Sequence, residues 1–105
     1  MVIPEPDWKT FKEVKATALD RFCRRVLDEC RAVCDDDSAS ASERYRKLYD
    51  LIHERDEEMA DAFDDIRRST AIMRLMTMRK HNLVTPEELA RFSNDTRRLL
   101  VSFDE

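Results

Sequence analysis

The sequence of 105 residues contains no glycine, whereas an average chain of this length carries roughly seven. Glycine supplies the positive backbone φ angles and close backbone approaches that phosphate-binding loops, dinucleotide-binding turns, nucleophile elbows and tight β-hairpins require. Its absence therefore argues against the common nucleotide-binding folds and against sheets built from short hairpins.

The chain also lacks long apolar runs. No stretch approaches the roughly eighteen apolar residues that a membrane span needs, and the N-terminus has no basic region followed by an apolar one. Its three cysteines are an odd number, which cannot pair completely within one chain. These features predict a cytoplasmic protein with reduced thiols, without a secretory signal.

Charge is abundant but unevenly distributed. Charged residues make up 40% of the chain and give a net charge of −4. Residues 35–65 hold twelve acids and four bases, whereas residues 66–84 hold five bases and no acid. The overall acidity argues against a dedicated nucleic-acid-binding protein. Neighbouring blocks of opposite charge favour pairing within the chain or between copies of it.

The length corresponds to one domain over residues 1–105. Within it, apolar residues recur every three or four positions in three segments, which predicts three amphipathic helices. We expect a flexible stub over 1–6, then a first helix with Asp7 as its N-cap that ends near Cys34. An acidic, Ser/Ala-rich connector over 35–42 follows it.

The second and third helices have clear start signals. Ser40 and Glu43 form a capping box, and nothing from Glu43 to His81 forbids one continuous helix. Thr85, Pro86 and Glu88 mark the start of the third helix. Its apolar stripe extends to Phe103, and the weak helix formers Ser93–Asp95 are expected to kink it.

A continuous second helix would be nearly 60 Å long at about 1.5 Å per residue. Because a compact domain of this size has a radius of gyration near 13 Å, such a helix either bends near Ser69 and Thr70 or lies along a partner, and we favour the partner. The sequence thus predicts an all-α fold. We expect an antiparallel bundle of three long helices, the second either straight or bent into two, completed by a second copy of the chain.

The segment from Arg67 to His81 combines basic residues with apolar residues on two helix faces. Such a helix is either central in a bundle or shared with a partner, and flexible methionines suit adaptable binding. The leading hypothesis is a homodimeric interaction or regulatory module without catalytic residues, metal or cofactor, which also binds an acidic protein. The predicted partner-binding residues are Arg68, Ile72, Met73, Leu75, Met76 and Arg79.

A cluster of carboxylates in the second segment supports the alternative function. Pairs spaced three or four residues apart share a helix face and could hold Mg²⁺ or Mn²⁺. The alternative is therefore a divalent-metal-dependent hydrolase of a phosphate compound, which requires Glu54 and Glu57 to converge with acids of another helix. Otherwise the cluster is a solvated helix face. Its members are Glu54, Asp56, Glu57, Glu58, Asp61, Asp64 and Asp65.

The three cysteines fall on one face of the first helix, at positions 23, 30 and 34. A structural zinc site needs four ligands and usually a closely spaced cysteine pair, which is missing here. We therefore interpret Cys23, Cys30 and Cys34 as small residues buried in the core.

Overall fold

The computed structural model describes residues 2–102, and helices make up 75% of that range, with no strand in it. The all-α prediction is therefore confirmed, although Phe103 of the third predicted stripe lies outside the described residues. The helices are α1 (Glu5–Cys34), α2 (Ala41–Phe63), α3 (Ala71–Lys80), α4 (Pro86–Leu89) and α5 (Asn94–Ser102).

The start of α1 differs from the sequence-based expectation. The helix begins at Glu5, and no side chain caps it. Ile3 is only 2% exposed and belongs to the core. Arg68 donates to the Ile3 carbonyl at 3.0 Å and pairs with Glu5 at 3.1 Å. This part of the expected flexible stub is thus held against the rest of the chain, and the Asp7 side chain does not cap α1.

The connector and the start of α2 agree with the prediction. Ser40 Oγ accepts from the Glu43 amide at 3.2 Å, and the Glu43 carboxylate accepts from the Ser40 amide at 3.4 Å. This capping box satisfies amides that the first helical turn leaves without partners. Arg44 donates to the Cys34 carbonyl at 2.7 Å, which ties the start of α2 to the end of the antiparallel α1.

The second segment is not one continuous helix, so the favoured interpretation is wrong, and the observed break lies close to the alternative bend near Ser69 and Thr70. The chain leaves the helix after Phe63 and re-enters it at Ala71, and Asp65 adopts the left-handed backbone region at φ 53°. Thr70 Oγ1 donates to the Asp65 carbonyl at 2.6 Å and closes this turn. Because Phe63 and Ala71 are both buried, the break folds two apolar segments onto the same core.

The end of α3 is a Schellman motif built without glycine. The Leu83 amide donates to the Met78 carbonyl at 2.9 Å, and the Asn82 amide donates to the Arg79 carbonyl at 2.9 Å. Asn82 takes the left-handed position at φ 58°, which asparagine tolerates better than most residues. The side chains of Met78 and Leu83 are both buried, as is common in this motif.

Asn82 offers a test of this turn. Replacing Asn82 with alanine should lower the free energy of unfolding by about 1 kcal/mol relative to Asn82→Gly, because a Cβ atom disfavours the left-handed region and glycine has none. Urea denaturation of both variants, followed by circular dichroism, measures the difference. Equal midpoints for the two variants would contradict the left-handed assignment.

The third predicted helix is broken rather than kinked. It separates into α4 and α5, and Ser93 precedes α5. The buried carboxylate of Asp7 accepts hydrogen bonds from the Ser93 amide at 2.9 Å, from Ser93 Oγ at 2.6 Å and from Thr96 Oγ1. The residue that the sequence suggests as the cap of α1 therefore holds the start of α5 against α1.

The molecule is elongated because its core occupies only one end. Its radius of gyration is 16.7 Å, whereas a compact domain of this size has about 13 Å, and its principal extents are 53 × 26 × 24 Å. Every residue from Cys23 to Asp61 is half-buried or exposed. We call residues 23–61 the arm, and the rest of the described chain the body.

Candidate functional site

The arm is an antiparallel helical hairpin whose two helices are joined by an ion pair as well as by half-buried apolar residues. Arg55 donates to both carboxylate oxygens of Glu29, at 3.2 and 2.8 Å, and also to Glu58 at 3.2 Å. The hydrogen bonds from Arg55 hold the pKa of Glu29 below its ordinary value, against the opposing effect of burial. At the base of the arm, Phe22 and Phe63 meet edge to face, with ring centroids 6.2 Å apart.

The apolar residues of the two arm helices lie on the same side. Glu29 and Arg55 mark the inward positions, and each successive residue turns by about 100°. By this count the exposed or half-buried apolar residues listed below lie in the same rotational direction from the inward residue of their helix. Two antiparallel helices are related by a two-fold axis perpendicular to both. Residues with the same rotation from the inward position therefore lie on the same side of the hairpin. We call this shared side the open face: Cys23, Leu27, Cys30 and Cys34 of α1 with Tyr45, Tyr49 and Ile52 of α2.

The open face exposes large apolar side chains. Tyr45 is 74% exposed, Tyr49 55%, Leu27 53% and Ile52 42%. The Tyr49 ring also contacts the His53 ring, with centroids 4.2 Å apart. Single exposed hydrophobic residues are ordinary, but several on one face are typical of a binding surface.

The body leaves this face uncovered. Arg25, which donates to the His81 carbonyl at 2.8 Å at the end of α3, lies about 160° around α1 from Leu27. A cavity of about 210 Å³ lies on that side, between α1, α2 and the end of α3. Its charged groups are already engaged, since Arg25 binds carbonyls and Arg55 binds Glu29 and Glu58. We therefore interpret this cavity as structural.

The predicted partner-binding residues of α3 do not form one exposed surface. Leu75 is 1% exposed and Ile72 is also buried, so both belong to the core of this chain. Met76 is half-buried against the same core. Of these four residues only Met73, at 60% exposure, is exposed.

The two predicted arginines of that site contact the chain itself. Arg68 binds the Ile3 carbonyl and the Glu5 carboxylate. Arg79 donates to the Leu100 carbonyl at 3.5 Å. A partner role for the six residues stays a prediction, but most of them have packing or hydrogen-bonding roles in the monomer.

The carboxylate cluster does not assemble into a site. Glu58 pairs with Arg55, and Asp65 pairs with Arg67 at 2.8 Å. Hydrogen bonding to Arg67 lowers the pKa of Asp65. Glu54 and Glu57 are exposed. Between residues 2 and 102, no three His, Cys, Asp or Glu side chains lie close enough to hold a metal ion. The convergence that the metal-hydrolase alternative requires is therefore missing from this range.

The cysteines are less buried than expected. Cys23 and Cys30 are half-buried and Cys34 is exposed, so the prediction of three core residues is wrong for Cys34. All three are free thiols. Their common helix face begins at Cys23, which packs against the core, and continues along the open face.

The width of the apolar stripe on α2 is a sequence signal for the open face, although the helical period alone does not separate its buried residues from its exposed ones. Tyr45, Tyr49 and Ile52 follow the same helical period as the half-buried Leu48. By rotation, however, Tyr45 and Tyr49 lie further from the inward Arg55 than Leu48 does. An apolar stripe that is wider than one neighbouring helix can cover indicates that a second helix or another protein packs against it.

Among the described helices, none combines the length and the apolar character needed to cross a membrane. No protein-family model matches the chain, and no curated protein or solved structure shows significant similarity to it. The all-α architecture alone does not specify an activity, because helical bundles carry many unrelated functions. Function is therefore inferred from the residues and their geometry.

Proposed function

We propose that this chain is a small helical interaction module of the cytoplasm, which acts through protein–protein contacts on the open face of its arm. The observation that carries the proposal is the arm itself. Its two helices expose Leu27, Tyr45, Tyr49 and Ile52 on one side, and none of its residues is fully buried. Since helices in proteins gain most of their stability by burying an apolar face, this face suits cover by another protein.

The chemistry of the open face fits a protein partner better than a nucleic acid. Tyrosine is enriched at protein interfaces, where its ring is buried and its hydroxyl group finds a polar partner. Phosphate binding would instead require a basic surface, whereas Asp56 lies beside Tyr49 and Ile52 by rotation. No observation favours the metal-hydrolase alternative, because its carboxylates are exposed or paired with arginine.

A photo-crosslinking amino acid at single positions of the arm tests the proposal in the cells that produce the protein. With benzoylphenylalanine in place of Tyr49, we expect covalent adducts with another polypeptide, because the crosslinker then lies within the covered face. The matched control is the same replacement at Glu54, which is also exposed but lies on the other side of α2.

Adducts from position 49 and few or none from position 54 would support the proposal. No adduct from position 49, or equal yields from both positions, would contradict it. The adduct mass further distinguishes self-association from binding of a different protein.

A further inference from the structure

We infer that the protein covering the open face is a second copy of this chain, so that two arms form an antiparallel four-helix bundle. This inference rests on the proposed interaction function and names its partner. The shape of the arm and the area of its open face support it.

The shape of the arm allows a symmetric pair. A two-fold axis parallel to the arm places α1 of each copy opposite α2 of the other copy. Every helix then has two antiparallel neighbours, as in the common four-helix bundles. The end of α3 lies on the opposite side of α1 from Leu27, where Arg25 contacts the His81 carbonyl, so the two bodies stay outside the bundle.

The area of the face is sufficient for a weak dimer. Sixteen residues of helix span about 24 Å, and two adjacent helices are about 20 Å wide, which gives roughly 500 Å² per copy. Two copies would bury about 1,000 Å², near the lower limit of specific interfaces. We therefore expect a dissociation constant in the micromolar range.

Sedimentation equilibrium across the micromolar range tests the inference, with Tyr49→Glu as the main variant. We expect the wild-type chain to dimerise and Tyr49→Glu to weaken the dimer by about thirtyfold or more, because a carboxylate would be desolvated at the centre of the interface. The matched control is Met73→Glu, which introduces the same charge at another exposed apolar residue. It should leave the dissociation constant unchanged.

Both residues are exposed, so the circular dichroism spectrum and melting temperature of each variant should match those of the wild type. Loss of the dimer in Met73→Glu but not in Tyr49→Glu would overturn the inference and move the interface to α3.

The outcomes separate this inference from the function on which it rests. A wild-type chain that stays monomeric, together with adducts from position 49 to a different protein, overturns the inference and leaves the interaction function standing. A monomeric chain that gives no adducts from that position contradicts both.

Discussion

Replacing Leu75 with alanine is expected to lower the free energy of unfolding by about 3 kcal/mol and to leave the affinity of the folded chain for its partner unchanged. Leu75 is 1% exposed and lies in the core with Ile72 and Met78. Removing a buried leucine side chain costs its transfer free energy and leaves a cavity that the surroundings fill only in part. Urea denaturation followed by circular dichroism measures the loss.

This result would separate two interpretations of α3. The sequence assigns Leu75 to a partner-binding surface, for which alanine should reduce association rather than stability. Met73→Ala is the matched control on the same helix, because Met73 is exposed and its truncation should change the free energy of unfolding by less than about 0.5 kcal/mol. Loss of association in Leu75→Ala without loss of stability would restore the sequence-based interpretation.

The sequence predicts well those structural features that depend only on residues close together along the chain. The capping box of Ser40 and Glu43 is present, and so is that of Thr85 and Glu88, in which the two hydrogen bonds measure 2.7 and 3.1 Å. A capping box is closed within four residues, so no distant contact is needed to form it. The all-α class and the connector after Cys34 follow from equally local patterns.

Features that depend on distant contacts were not predictable in the same way. Residues 64–70 contain no glycine or proline, and the helix breaks there because Phe63 and Ala71 both reach the core. The carbonyls after α3 are satisfied from α1, since Arg25 donates to His81 and Arg21 donates to Leu83. Sequence spacing carries no information about the arginine contacts, and for the break it gave a bend near Ser69 and Thr70 only as the less favoured of two alternatives.

The candidate site shows the same limit. A helical period identifies apolar faces, but it does not distinguish a face that packs against the same chain from one that binds another protein. Leu75 and Tyr49 both follow the period of their helices, yet Leu75 is in the core and Tyr49 is exposed. The two residues differ in burial because more helices surround Leu75 than Tyr49, and the number of surrounding helices depends on the fold.

Replacing Asp7 with alanine is expected to lower the free energy of unfolding by about 3 kcal/mol. The change leaves the Ser93 amide and the hydroxyl groups of Ser93 and Thr96 without their acceptor, and unsatisfied buried polar groups are costly. Asp7→Asn keeps the shape and one acceptor oxygen, so it should lose less. The midpoint of urea denaturation at neutral pH, measured for both variants and for the wild type, gives the comparison.

The contribution of Asp7 to the free energy of unfolding should depend on pH, and the groups around its carboxylate determine whether it rises or falls on acidification. Burial alone raises the pKa of Asp7, but hydrogen bonds from Ser93 and Thr96 outweigh it and hold the pKa below the ordinary value of 3.8. The unfolded chain then binds the proton more readily than the folded one. The contribution is therefore complete above the ordinary pKa and is lost as the pH falls through the lower pKa of the folded state.

The difference in unfolding free energy between the wild type and Asp7→Asn should accordingly be constant near neutral pH and shrink below about pH 4. Asparagine does not titrate in this range, so the variant isolates the carboxylate from the other acids of the chain. A difference that grows on acidification would mean that the folded state binds the proton more tightly. In that case burial, rather than the hydrogen bonds from Ser93 and Thr96, would dominate at Asp7.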